Sequence, residues 1–451
     1  MELVTFEQLI ELIESNSLSK IRDALSEMNV VDIARLLEEL ETKERLLLVF
    51  RLLPKDLGAD VFAYLDTEYQ QMIIESISDR EISAIVSGMF IDDAVDLLEE
   101  MPAGVVMRVL RNTDEQTRRI INEFLKYPEH SAGSIMTIEY VYLYEQFTVE
   151  DALKRIRRTG LDKETIYTSY VTDPRRRLLG IVPIQKLLTV DEDTLINDIM
   201  DENVQFVHTL DDQEIAIKLM REYDLLSIPV VDKENRLVGI ITIDDAVDVI
   251  DEEATEDFEK MAAMRPSDDE YLKTGVLRMA RNRIPWLLFL MVSGTLSGMV
   301  ISRFEEAISA VVLLVTYIPM LTNTGGSCGA QSATLVIRGM ALGELGAKDT
   351  LRIVWKETLV SLLVGVTLAV CNFARIYFFD RSGAMVALTV SFSLMVIVIV
   401  SKMIGCLLPL GAKVFKMDPA IMANPLITTI VDVLALIVYF NTAVKLLDIR
   451  I

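Results

Sequence analysis

The sequence predicts a multidomain protein: an all-α superhelical N-terminal domain, an α/β tandem of repeated modules, and an α-helical transmembrane domain with five spans. The 451-residue chain is 51% hydrophobic, yet its formal net charge is −24. Residues 1–270 hold 28 Lys+Arg and 59 Asp+Glu, whereas residues 271–451 hold 16 and 9. Near residue 136 the hydrophobic pattern changes from helical to strand-like spacing. An acidic polar part is therefore joined to a slightly basic apolar part.

Composition excludes some functions. The acidic part would repel phosphate, so it is not a nucleic-acid-binding surface. The three cysteines are too few and too scattered for a disulfide framework or a zinc site. The first residues, MELVTFEQLIELIES, show neither a basic segment nor an apolar core of a signal peptide, so we expect the acidic part in the cytosol.

Residues 1–130 are predicted to be a superhelical layer of short amphipathic helices. Degenerate repeats place apolar residues at helical spacing, as in VVDIARLLEEL, KDLGADVFAYL, REISAIVSGM and DDAVDLLEEM. Each such helix has one apolar face to bury, and stacking on its neighbours buries it.

Residues 131–258 repeat one order of elements twice, at about 136–199 and 200–258. In the second copy SIPVVD and LVGIITI are predicted strands, and QEIAIKLMREYD and DDAVDVI are predicted helices. This tandem resembles a pair of CBS domains, which commonly bind adenosine nucleotides. The resemblance implies a nucleotide site at Gly239, Thr242 and Asp245, with ATP as a possible ligand; a purely structural role for Thr242 is the alternative.

Residues 259–283 are predicted as a connecting helix, and residues 284–451 as the transmembrane domain. A span needs about 20 apolar residues. Five runs meet this need; the second is long enough for one long or broken helix, and the last is interrupted only by Asp432. The alternative is a large buried core. The charge-free runs are 284–302, 307–337, 358–374, 382–401 and 419–444.

Basic residues set the expected orientation. Nine Lys and Arg residues flank the spans on the side of the first span's start, against five on the other side. The excess predicts a cytoplasmic N-terminus and an external C-terminus in a multi-pass cell-membrane protein.

Asp432 is the strongest functional signal. A carboxylate inside an apolar helix is costly and normally faces a water-filled path, a cation or a partner, for which Lys402 is the structural alternative. Pro425 and a glycine cluster after Pro319 would free or expose backbone carbonyls. Oxygen ligands and few carboxylates suit hydrated Mg²⁺, and both histidines, His130 and His208, precede the spans.

Two segments, DPAIMANPLITTIVD and GGSCGAQSATLVIRG, resemble the signature of the MgtE family of magnesium channels, and the domain order resembles that family's order. The resemblance implies a homodimer in a lipid bilayer, with a pore lined by spans two and five. It implies Asp432 as the central ion site and Asp418 near the cytosolic mouth. The implied pore-lining residues are Pro319, Gly325, Gly326, Asn424, Pro425 and Thr428.

The same resemblance implies a magnesium sensor in the acidic part. Eight carboxylates crowd into residues 244–257, and Asp92 and Asp96 share one helical face, where like charges repel. Divalent ions bridging them would compact the cytosolic part and close the pore by negative feedback. The implied ligands are Asp92, Asp96, Glu214, Asp224, Asp245, Asp248, Glu253, Glu256 and Asp257.

Three positions differ from the family pattern: Ser327, Ala435 and Lys402, the last expected to extend toward the cytosolic interface. Two alternatives to Mg²⁺ transport remain open: a broader divalent transporter for Mn²⁺ or Co²⁺, and a membrane-tethered nucleotide sensor without transport. We expect no enzymatic activity, because no second catalytic group accompanies Asp432.

Overall fold

The computed structural model describes residues 12, 18–40, 42–267, 271–272, 274–415, 417–422 and 424–449. The chain divides into two compact units, Met1–Ile250 and Asp251–Ile451.

The N-terminal part of the first unit is helical, as the repeats predict. Polar caps begin several of its helices: Ser78 and Glu81 form a reciprocal capping box, and Asn29 and Asp114 accept hydrogen bonds from backbone amides. Buried aliphatic faces pack the layers together. Within the described residues these helices are α1 (Leu18–Leu25), α2 (Val30–Glu38), α3 (Lys43–Leu52), α4 (Lys55–Ala63), α5 (Thr67–Ser76), α6 (Asp79–Val86), α7 (Ile91–Glu100), α8 (Ala103–Asn112) and α9 (Glu115–Phe124).

Two small sheets with the same topology follow, which confirms the tandem repeat. In each sheet the first strand pairs parallel with the second, and the second pairs antiparallel with the third. The elements are β1 (Tyr140–Tyr144), α10 (Val149–Thr159), β2 (Thr165–Thr172), β3 (Leu178–Pro183), α11 (Ile184–Thr189) and α12 (Ile196–Ile199), then β4 (Val207–His208), α13 (Gln213–Glu222), β5 (Ser227–Val231), β6 (Leu237–Thr242) and α14 (Ile243–Met261).

The segment predicted as a connecting helix, residues 259–283, is divided in the structure. Helix α14 ends at Met261, and the next helix begins at Val276 after Gly275. Pro266 lies between them, and a proline disfavours helical backbone at the residue before it, here Arg265.

The second unit is built from long apolar helices. They are α15 (Val276–Arg303), α16 (Glu305–Ala310), α17 (Ile318–Ala341), α18 (Thr350–Arg375), α19 (Ala384–Val414) and α20 (Asn424–Leu446). Of the two forms expected for the second charge-free run, the structure shows the broken one: α16, a 3₁₀ segment and α17.

Four segments of the described chain are long and apolar enough to cross a membrane: Val276–Arg303, Thr350–Asp380, Ala384–Val414 and Pro419–Leu446. Helix α17 is not among them, because polar residues and glycines are frequent in its middle, from Thr322 to Thr334. The count of five spans therefore stays a prediction, although α17 is the helix that carries the glycine cluster.

Candidate functional site

The glycine cluster of α17 lies against α20. A methyl group at Gly326 would come within 3.0 Å of Thr428 Cγ2, and one at Gly329 within 2.8 Å of Ile427 Cγ2. Gly325 is similarly close to Val431, at 3.0 Å from its Cγ1. These glycines leave room for side chains of α20 to pack directly on the backbone of α17, and α17 and α20 are the helices predicted to line the pore.

Asp432 lies on α20 directly after Val431 and is half-buried. Within the described residues, its carboxylate has neither a hydrogen-bond donor nor an ion-pair partner. A carboxylate in an apolar helix is costly without a partner, so this site calls for a cation or water.

Lys402, the alternative partner considered for Asp432, lies elsewhere. Its side chain is buried, with its Nζ 3.7 Å from Glu357 Oε2 and 3.1 Å from Ser332 Oγ. The expectation that Lys402 extends to the interface is therefore wrong, because a partner on α18 holds its ammonium group inside the helix bundle.

Pro425 stands in the first turn of α20, where a proline fits a helix without loss. The Pro425 carbonyl accepts hydrogen bonds of 2.9 Å from both the Thr428 and the Thr429 hydroxyls. Pro319 likewise begins α17. The side chain of the predicted pore residue Asn424 lies outside the described part of the structure.

Asp418 anchors a second polar site at the start of this last helical segment. Its Oδ1 accepts a hydrogen bond from the Ala420 amide at 2.8 Å, and its Oδ2 lies 2.7 Å from Lys260 Nζ. Lys260 also contacts Glu256 Oε1 at 2.5 Å. Burial lowers the pKa of Lys260, but hydrogen bonds to Asp418 and Glu256 raise it overall. A lysine ammonium thus stands between two predicted magnesium ligands.

The charges of the same site also act on Asp257, the neighbouring predicted ligand. Burial, and then the charge of Asp418, raise the pKa of Asp257. Three carboxylates therefore share one ammonium group, so the site retains excess negative charge.

The first unit contains a larger acidic cluster with a common physical cause. Burial, reinforced by the charge of Asp245, raises the pKa of Asp92 to about 9 and that of Asp93 to about 6. Burial and neighbouring carboxylates raise the pKa of Asp96 to about 7. Burial, and then the charges of Asp244 and Asp245, raise the pKa of Glu164, which precedes β2, to about 7. Carboxylates from α7, α14 and the β2 edge therefore repel one another.

Sequence reasoning identified Asp92, Asp96 and Asp245 as members of this cluster but missed two others. Asp93 could have been found from the Asp92–Asp93 pair at the start of α7. Glu164 stands singly in a connection, and only the tertiary structure brings it close to Asp244 and Asp245. Its Oε2 atom is buried without a hydrogen-bond partner in the described structure.

Other predicted ligands are placed differently. Glu214, Asp224 and Asp248 have exposed side chains in the second module, whereas Glu253 is half-buried in α14. Among the described residues, no group of three or more His, Cys, Asp or Glu side chains converges closely enough to hold a metal ion. The ligand assignments therefore stay predictions, and a bound cation would have to draw carboxylates together.

The predicted nucleotide residues lie at the acidic cluster. The Thr242 hydroxyl donates a 2.7 Å hydrogen bond to Asp245 Oδ2, and a methyl group at Gly239 would meet Met136 Sδ at 2.7 Å. A separate cleft of about 430 Å³ lies between the two modules and contains none of these three residues. Tyr167, Pro183, Asp201, Asp224 and Pro229 are among its lining residues.

The apolar helical unit, a carboxylate with no charged partner among the described residues, and the attached acidic unit together are typical of a multi-pass membrane protein that transports cations. Comparison with known families agrees with this class. The family described as the divalent cation transporter MgtE matches residues 318–442, the MgtE intracellular N domain matches residues 28–130, and CBS domains match residues 132–193 and 196–252.

Full-length relatives support the same assignment. The magnesium transporter MgtE of Thermus thermophilus is 36% identical over 98% of both chains. That of Bacillus subtilis is 32% identical over 97% of this chain and 96% of the relative. The chain therefore belongs to the MgtE family.

Solved structures resemble about half of this chain. The soluble part of a magnesium transporter is 30% identical, covers 55% of this chain and 98% of its own, and has a TM-score of 0.53. The cytosolic domain of the Mg²⁺ channel MgtE in complex with ATP is 36% identical, covers 54% of this chain and 100% of its own, and has a TM-score of 0.52.

The acidic cluster predicts a pH dependence of local stability. Folding raises the pKa of Asp92 from 3.8 to about 9, so the folded state binds more protons than the unfolded chain. The stabilisation from protonated Asp92 is complete below pH 3.8 and is lost as pH rises toward 9. Hydrogen exchange of α7 in divalent-free buffer should show a loss of roughly 1–3 kcal/mol of protection between pH 6 and 9.

Two variants separate the titration of Asp92 from a general effect of pH on the stability of α7. Asp92→Asn should flatten the pH dependence, because it removes the titrating carboxyl group. Asp191→Asn, at an exposed aspartate, should leave it unchanged. Equal slopes in the wild type and Asp92→Asn would contradict the assignment.

Proposed function

We propose that this chain is a gated Mg²⁺ transporter of the cell membrane and that Mg²⁺ passes along a path, the seam, that α17 and α20 line. The observation that carries the proposal is the half-buried Asp432 carboxylate, which no described residue neutralises. Relatives named as magnesium transporters match over nearly the whole chain. The activity is transport and involves no catalytic step.

The chemistry of the seam favours a hydrated, hard cation. Its polar groups are hydroxyls and backbone carbonyls near Thr428 and Pro425, with one carboxylate at Asp432. Mg²⁺ dehydrates reluctantly and is commonly held by one or two carboxylates and its own waters. We further propose a homodimer in the bilayer, with the N-terminus cytoplasmic and the C-terminus external, so that two seams and two Asp432 residues face one path.

Neutralising Asp432 tests the ion path. Asp432→Asn keeps the side-chain volume but removes the charge, so initial Mg²⁺ flux into reconstituted vesicles should fall at least about tenfold. Glu305→Gln, at an exposed carboxylate of the same unit, should retain wild-type flux. Equal flux in Asp432→Asn and the wild type would refute the assignment.

The same flux assay, with Mn²⁺ or Co²⁺ added as a competitor of Mg²⁺, tests the alternative of a transporter for several divalent cations. Excess Mn²⁺ or Co²⁺ that is itself transported at the Mg²⁺ rate would favour a less selective transporter. Inhibition without transport would favour Mg²⁺ selectivity.

We also propose that cytosolic Mg²⁺ closes this path by neutralising the acidic unit. Burial first, and then the charges of neighbouring carboxylates, raise the pKa values of Asp92, Asp96 and Asp245, and divalent ions would relieve the repulsion among these groups. Asp418, Glu256 and Asp257 form a second site where a divalent ion could replace the Lys260 ammonium. Several weak sites acting together would give a steep response, since a nearly complete population shift needs about 5.5 kcal/mol.

Protease susceptibility tests this feedback. Millimolar Mg²⁺ should slow cleavage within residues 1–250 of the full-length protein several-fold, because neutralised carboxylates allow compaction. Asp92→Asn/Asp245→Asn should be protected already without Mg²⁺ and should respond weakly to it. A Mg²⁺ response in this variant equal to that of the wild type would contradict the proposed sensor.

We propose ATP as a ligand of the cleft between the modules. Tyr167 and Pro229 offer flat apolar walls for a purine, and Asp201 and Asp224 offer acceptors for ribose hydroxyls. The ATP complex of the cytosolic domain of a related Mg²⁺ channel supports the assignment.

Calorimetry on the full-length protein distinguishes this cleft from the predicted site at Gly239, Thr242 and Asp245. Tyr167→Ala should weaken ATP binding about tenfold through lost ring contact, whereas Thr242→Ala should not. Tyr142→Ala removes an exposed tyrosine that does not line the cleft and serves as the control. The reverse pattern would place ATP at Thr242 instead.

A further inference from the structure

One buried polar group in the membrane unit takes no part in the function proposed so far. Lys402 of α19 is 5% exposed. Its Nζ lies 3.1 Å from Ser332 Oγ on α17 and 3.7 Å from Glu357 Oε2 on α18. Ser332 in turn donates a 2.7 Å hydrogen bond to Glu357 Oε2. A closed triangle of polar contacts therefore joins three helices.

The triangle is enclosed by the protein. The Lys402 and Glu357 side chains are 6% and 13% exposed, so both charges have lost most of their contact with the surroundings. Two charges in such a place persist only when each neutralises the other and hydrogen bonds satisfy the remaining polar atoms. Ser332 supplies that additional hydrogen bond, so the geometry is that of a matched pair.

The Lys402–Glu357 pair lies next to the part of α17 that carries Gly325, Gly326 and Gly329. Ser401, the residue before Lys402, would contact methyl groups placed at both Gly325 and Gly329, at 3.2 Å through Oγ and 3.1 Å through its carbonyl oxygen. A methyl group at Gly405 would overlap the carbonyl oxygen of Gly329. Helices α17 and α19 are therefore in direct backbone contact where Gly405 meets Gly329.

We propose that Lys402 and Glu357 are a charge-balanced positioning pair, which fixes α17 and sets the electrostatic potential that a cation meets at the seam. This inference rests on the proposed Mg²⁺ path along α17 and α20. With both charges present the pair has no net charge. Removing either one leaves a full charge in a weakly screening region, where it acts on a divalent ion over several ångströms.

The two single variants should shift the Mg²⁺ dependence of transport in opposite directions. Glu357→Gln leaves the ammonium group, which repels Mg²⁺, so the half-saturating Mg²⁺ concentration should rise about tenfold. Lys402→Met leaves the carboxylate, which attracts Mg²⁺, so that concentration should fall by several-fold. The double variant restores neutrality, and its half-saturating concentration should return to within about twofold of wild type.

Ser332→Ala is the matched control, because it disturbs the triangle while both charges remain. It should lower the maximal rate and leave the half-saturating concentration unchanged. Initial rates of Mg²⁺ entry into vesicles without internal Mg²⁺ measure both quantities, after size-exclusion chromatography confirms folded protein in detergent. If Lys402→Met does not fold, the sign of the shift in Glu357→Gln still decides the matter.

Shifts of the same sign in both single variants would overturn the inference, as would loss of maximal rate alone. Either result would mean that Lys402, Glu357 and Ser332 form a structural contact that does not set the potential along the Mg²⁺ path. Absence of flux in the wild type would instead refute the proposed transport itself, so the two failures are distinguishable.

Discussion

Carboxylate charge without a matching cation is the constraint on which this molecule depends. It occurs on α7 and α14, where burial and mutual repulsion raise the pKa of Asp92 and Asp245. It occurs again at Asp418 and on α20 at Asp432. Each place is energetically incomplete by itself, because a buried or crowded carboxylate needs a counter-charge. The ion that the protein transports would supply that charge, so substrate and regulator can be one species.

The protein resolves the same problem with its own cations at two places. Lys260 neutralises part of the site around Asp418, and Lys402 neutralises Glu357 inside the helix bundle. At Asp418 the single Lys260 ammonium leaves excess negative charge, so this site stays open to a divalent ion. Inside the helix bundle, Lys402 and Glu357 balance each other, so that pair belongs to the fixed structure.

Much of the architecture could be predicted from the sequence, because helical and strand periodicities are local properties of the chain. The tandem of βαβ modules and the break in the second apolar run are examples. Glu164 could not be predicted, since only the tertiary structure brings it near Asp244 and Asp245. The partner of Lys402 was missed for a similar reason: Glu357 is 45 positions away, and spacing alone does not show which helix faces of α18 and α19 meet.

The contact between Gly329 and Gly405 has a mechanical consequence. Two backbones that touch without intervening side chains cannot rotate past one another, because no rotamer change can make room. Helices α17 and α19 are therefore held by a direct backbone contact at this point. The contact between α17 and α20 is different, since a methyl group at Gly326 would first meet the Cγ2 and Cβ side-chain atoms of Thr428, with its Cα at 3.7 Å. Side chains can change rotamer and a direct backbone contact cannot, so the α17–α20 contact beside Asp432 can adjust more readily than the Gly329–Gly405 contact.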